Sequence, residues 1–149
     1  MNEEIVELLD REELVLASKQ KRLYAYMIDE VILSVIWLSV IWDSFTGLDT
    51  TEAKIELINS FILEFMLLKI IYHTFFVMQY AASPGKMLMK IRVLEINDAS
   101  NPSFMVALNR SFVRVISELF FYAGFVWGLL DPFARTWHDK TARTIIIDV

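Results

Sequence analysis

A cationic pair followed at once by a long apolar run with two carboxylates inside it constrains this chain more than any other feature. The run begins at Lys21-Arg22, continues through Asp29 and Glu30, and ends in Val31 to Trp42, which carries no charge. At ~1.5 Å of rise per residue, a helix from Leu23 to Trp42 covers the ~30 Å of a bilayer core once. Asp29 then lies roughly 10 Å in from Arg22 by the same rise, too deep for a surface carboxylate. A charged Asp at that depth costs on the order of 2.5–3.5 kcal/mol, so it faces protein rather than lipid. Arg22 and Asp29 are two turns apart on one helix face, whereas Glu30 points about 100° away. Two readings follow, an ion or proton site and a buried salt bridge that orients helices.

The chain is long enough for one domain, and its 56% hydrophobic content is that of an integral membrane protein. It has no Cys, which excludes disulfides and thiolate metal sites. The net charge of -5 is local: residues 1–18 hold six acids against Arg11, and the remainder is neutral. No basic patch suited to nucleic acid exists, and the acidic start does not suit a cleaved signal peptide. Within residues 1–20, Glu3 to Ser18 has Ile5, Leu8, Leu9 and Leu16 near helical spacing, which predicts an acidic amphipathic helix ahead of a membrane domain over 21–149.

Leu57 to Tyr80 is a second span, interrupted by Glu64, Lys69 and His73. Lys69 and His73 are one turn apart on the same face. Lys69 sits roughly 18 Å from the external end, level with Asp29, which predicts an Asp29–Lys69 ion pair, direct or through one polar side chain, in a polar seam between the spans. Glu64, about 10 Å in with no base at its level, is expected to be protonated or hydrogen-bonded. Lys19, Lys21 and Arg22 precede the first span and only Lys54 follows it within residues 43–56, so the N-terminus is expected in the cytoplasm and that loop outside.

Ser83-Pro84-Gly85-Lys86 suits a type II turn. Lys90 to Ile96 reads as a strand, Asn101-Pro102 as a helix opening, and Thr144 to Ile147 as a second β-branched run. Between them, Phe104 to Leu130 divides into an amphipathic half bearing Arg110 and Arg114 and a purely apolar half too short to span. The two strand-like runs need each other as partners, so both belong to one compartment. The predicted fold is an all-α membrane bundle of two full spans plus an amphipathic helix and a short re-entrant or third membrane helix. The re-entrant turn is expected at or near Gly124 to Gly128, and a small cytoplasmic two-stranded β-ladder holds a cytoplasmic C-terminus.

In these motifs the chain resembles the RDD family of small membrane proteins over residues 21–149. The family's Arg and first Asp correspond to Arg22 and Asp29, its Ser/Thr-Pro-Gly-Lys segment and strand to Ser83 through Val93, and its Arg-bearing helix to Arg110 or Arg114. The closing segment corresponds to His138, Asp139 and Thr144, with Asp139 taken as the second Asp and Asp131 as its rival. Arg143 stands where a small residue is usual. The expected location is the cell (cytoplasmic/inner) membrane, and the resemblance to members described as sodium/proton antiporters implies transport.

No hydrolase, zinc-protease, phosphate-loop or dinucleotide motif occurs, so neither an enzyme nor a cofactor is expected. The candidate ion or proton site comprises Arg22, Asp29, Glu64, Lys69, His73, Arg110, Arg114 and Asp139. A monovalent cation/proton transporter and a non-catalytic scaffold or assembly factor are the two functional expectations. The expected partners are the bilayer and either further copies of the chain or a larger membrane complex, since two spans enclose no alternating-access path alone.

Overall fold

The computed structural model describes residues 2–149. The leader forms α1 (Asn2–Arg11), a helix shorter than its periodicity predicts. Glu13 takes a positive φ of 51°, after which the chain runs extended. Leu16 there forms an antiparallel bridge to Ile147, with the Asp148 amide donating to the Val15 carbonyl at 2.8 Å and the Ala17 amide to that of Ile146 at 3.0 Å. A sheet edge that needs partners has taken residues that a longer helix would have used.

Helix α2 (Lys19–Thr46) opens on Ser18, whose side chain accepts from the Lys21 amide, and runs one turn beyond Trp42. The loop after it holds a further helix, α3 (Thr51–Ser60), capped by Thr50. The second apolar stretch is therefore not one helix from Leu57: it breaks at Phe61 and restarts as α4 (Ile62–Tyr80). Glu64 consequently lies in the first turn of α4 instead of two turns deep.

The SPGK segment is the start of a helix, α5 (Pro84–Leu88), not a type II turn. No glycine in the described residues has a positive φ, which a type II turn requires at its third position. Strand β1 (Ile91–Glu95) follows, and it pairs antiparallel with the terminal strand β2 (Thr144–Asp148), Val93 opposite Ile146. Ile5 and Leu8 of α1 pack with Leu94, Ile96, Ile145 and Ile147, which ties the leader to this sheet.

Helix α6 (Phe104–Leu119) is opened by Ser103, not Asn101. It meets α7 (Ala123–Leu130) at a bend of 103°. The turn is made by Phe121 and Tyr122, both at positive φ, and not by the glycines. Gly124 and Gly128 serve close packing instead: a Cβ on Gly124 would meet Ser117 Oγ at 2.4 Å, and one on Gly128 would meet Thr136 Cγ2 at 3.0 Å. These contacts seat α7 against α6 and against α8 (Trp137–Thr141).

On α2, α4 and α6 the distribution of polarity is the reverse of a water-soluble fold. On α2 and α4 the exposed residues include Val31, Val35, Val40, Leu63, Leu67, Ile71 and Phe75, while Asp29, Lys69 and His73 are buried. On α6 Met105, Phe112 and Leu119 face out while Arg110, Arg114 and Ser117 face in. Two helices, α2 and α4, are long and apolar enough to cross a membrane. Hydrocarbon is the solvent that suits such a surface.

Candidate functional site: a buried charge network between the helices

Three groups of polar side chains fill the interior. The first is built on Asp29. Pro84 has no N–H, so the first free amide of α5 is that of Gly85, and it donates to Asp29 Oδ1 at 2.8 Å. Tyr72 OH donates to the same oxygen at 3.1 Å, and Ser83 Oγ donates to Oδ2 at 2.5 Å. Gly85 is obligatory for this approach: a Cβ there would lie 2.1 Å from the Ala25 carbonyl oxygen and 2.9 Å from Asp29 Cγ. The expected Asp29–Lys69 pair is therefore absent, because α5 and Tyr72 occupy the carboxylate.

The second group takes Lys69 instead. Its ammonium lies 2.8 Å from Glu30 and 2.6 Å from Glu118. Arg114 approaches the same two carboxylates at 3.6 and 3.5 Å. Two bases and two acids thus alternate around a ring drawn from α2, α4 and α6. Matching depths correctly put Lys69 at the level of the Asp29-Glu30 pair, but depth carries no azimuth, and the partner is the neighbour about 100° round the helix. Glu30 and Glu118 belong to the site and were not among its sequence candidates. The signal available for Glu118 is its position one turn after Arg114.

The third group joins the sequence-distant Arg22, Arg110 and Asp139. Asp139 is fully buried, lies 2.7 Å from Arg110 and 4.0 Å from Arg22, and completes a capping box for α8 with Thr136. Arg110 also donates to Thr144 Oγ1 at the start of β2. Arg22 donates to the carbonyls of Ala17, Ala134 and Ile146. Burial opposes the charged form of Asp139, but Arg110, His138, Arg22 and the Thr136 amide outweigh it and hold its carboxyl well below the usual range. Asp131, the rival second Asp, pairs with Lys140 at 2.7 Å and Arg135 at 3.5 Å, outside this group.

His73 is buried with Nε2 unbonded, beside Arg110, Arg114, Lys86 and His138 around a cavity of about 10 Å³. Burial, followed by the charges of Arg110, Arg114 and Lys86 and against the pull of Asp139, keeps His138 neutral at pH 7. Its Nε2 lies 2.9 Å from Thr136 Oγ1. That hydroxyl donates its only proton to Asp139 at 2.8 Å, so His138 carries its proton on Nε2. Glu64 joins none of these groups: it is exposed and forms no hydrogen bond or ion pair among the described residues.

The model of the RDD family matches residues 16–143, most of the chain and all three polar groups. The chain belongs to the RDD family. No curated protein and no solved structure matches it. The match includes Leu16 and Ala17, which join the sheet, and stops just before β2.

Proposed function

We propose that this RDD-family membrane protein is non-catalytic and acts as a scaffold or assembly unit in the cell membrane, its buried charges serving to lock helices together. Supporting this most is the state of Asp29. A carboxylate that shuttles protons must change partners, yet this one accepts from Tyr72, Ser83 and Gly85 together and holds α5 against α2. The groups around Lys69 and Asp139 are likewise internally paired. In such a role the chain works as a homo-oligomer or as a subunit of a larger membrane complex.

Cation/proton transport is a second reading, favoured by the Lys69–Glu30–Arg114–Glu118 ring. There two carboxylates share two bases, and a monovalent cation could exchange with either base. Proton flux in vesicles containing the purified protein separates the readings. The scaffold reading predicts traces no faster than empty vesicles for the wild type under a sodium or potassium gradient. Flux that disappears in Glu118→Gln would establish transport through the ring instead.

We infer the topology from the sheet. Residues 15–17 are hydrogen-bonded to β2 and β2 to β1, which supports one compartment for all three. With α2 and α4 crossing, the α6–α7 pair enters and leaves on the same side. The Lys and Arg residues flanking these segments support the cytoplasm as that side.

A further inference from the structure

A cavity of about 270 Å³ opens between α2 and α7, and its wall contains more positive charge than its neighbours neutralise. Lys19, Arg22, Lys86 and Arg114 line it against one carboxylate, Asp139, with His138 neutral beside them. Asp139 is already engaged by Arg110 at 2.7 Å. Lys19 spans the opening by donating to the Leu129 carbonyl at 2.7 Å. Lys86 is 7% exposed and makes no hydrogen bond or ion pair among the described residues. Arg114 stacks over Tyr26 and Phe125 at 5.0 and 5.6 Å, with its Nε and Nη2 turned to Glu118 and Glu30 at 3.5 and 3.6 Å, so Lys86 is the base of this wall that lacks a partner. An unpaired buried cation such as Lys86 is costly, so a site built around it calls for an anion.

The surroundings say what carries that anion. Leu23, Val126 and Leu129 line the cavity and are also exposed on the outer, apolar surface, so the way in leads through hydrocarbon. Tyr26 and Phe125 continue the apolar wall inward. The bases converge from three elements, Arg22 on α2, Lys86 on α5 and Arg114 on α6, an arrangement suited to the several oxygens of a phosphate.

We infer that this cavity binds the phosphate head of an anionic membrane lipid, with Lys86 as its central contact and the first part of an acyl chain along Tyr26, Phe125 and Leu129. Burial, then Arg110 and Arg114, push the Lys86 ammonium down to about 7, against the pull of Asp29 and Asp139. A bound phosphate restores its charge. This holds whether the protein scaffolds or transports.

The test uses delipidated full-length protein in detergent at pH 7, its thermal midpoint followed as phosphatidylglycerol, phosphatidylcholine or inorganic phosphate is added. Phosphatidylglycerol should raise the midpoint, and the other two should not. In Lys86→Met the phosphatidylglycerol concentration needed should rise at least about tenfold, the loss expected for one charge-assisted contact. Its lipid-free midpoint should be no lower than the wild type's. Leu129→Trp, at an exposed position that narrows the mouth, should lose the response with every charge retained. Equal responses to both lipids, a response reproduced by inorganic phosphate alone, or an unchanged phosphatidylglycerol response in Leu129→Trp would each overturn the assignment.

Discussion

Alanine at position 85 would put a methyl carbon 2.1 Å from the Ala25 carbonyl, and neither α2 nor α5 can yield without releasing Asp29. Gly85→Ala should therefore destabilise the protein by about 1–3 kcal/mol or more, as overpacked cores do, seen as a lower thermal midpoint in detergent. Asp139→Asn leaves Arg110 buried beside a neutral group and should cost on the order of 3–5 kcal/mol, with Asp131→Asn costing less because the nearer of its two partners, Lys140 at 2.7 Å against Arg135 at 3.5 Å, is partly exposed. Comparing the two midpoints checks this, and equal losses would contradict the central placing of Asp139. Lys86 gives a pH signature. Its folded pKa is depressed to about 7 from 10.5, so between these values the unfolded chain holds more protons and stability must rise with pH. Lipid-free protein should gain stability from pH 7 to pH 10, and Lys86→Met should flatten that part of the profile. The carboxyl of Asp139 is depressed from 3.8, so its contribution is full above about pH 4 and is lost as the pH falls further.

Helices announced themselves in this chain through long apolar runs, and the strands through β-branched runs that needed a mutual partner. Both signals survive in α2, α4, β1 and β2, because each rests on a requirement for burial or pairing that no neighbour can alter. What was not legible was set by contacts between distant segments. Residues 15–17 kept no helix once β2 offered an edge to pair with. Gly85 read as a turn residue, although its use is the absence of a side chain beside Asp29. The bend between α6 and α7 sits at Phe121 and Tyr122, which carry no turn signature, and the glycines expected there pack α7 instead. In the charge network, depth along the helix could be counted but rotation about it could not, so Lys69 was matched to Asp29 and found with Glu30 and Glu118. The Lys69–Glu30 contact is open to a double-mutant cycle. Lys69→Met and Glu30→Gln should each be strongly destabilising, and the double variant should recover much of the loss; simple addition of the two would mean the side chains act independently.

For the whole molecule, the proposed number of crossings rests on the three-part contact of residues 15–17, β1 and β2. In the proposed topology the polypeptide hydrogen-bonded in this sheet lies on one side of the bilayer, so that the start, the middle loop and the end of the chain would share a compartment and only the α2–α4 connection would reach the other. The natural chain contains no Cys, so single cysteines can be placed without background and their labelling by a membrane-impermeant maleimide read from each face. The sites of choice are the exposed Asn2, Gly47 in the α2–α3 connection, and the exposed Val149 at the C-terminus. In right-side-out cells Gly47→Cys should label and the other two should not, and in inverted vesicles the pattern should reverse. Labelling of Val149→Cys from the same side as Gly47→Cys would mean that α6 and α7 together cross the membrane, and would contradict the shared sheet on which this topology rests.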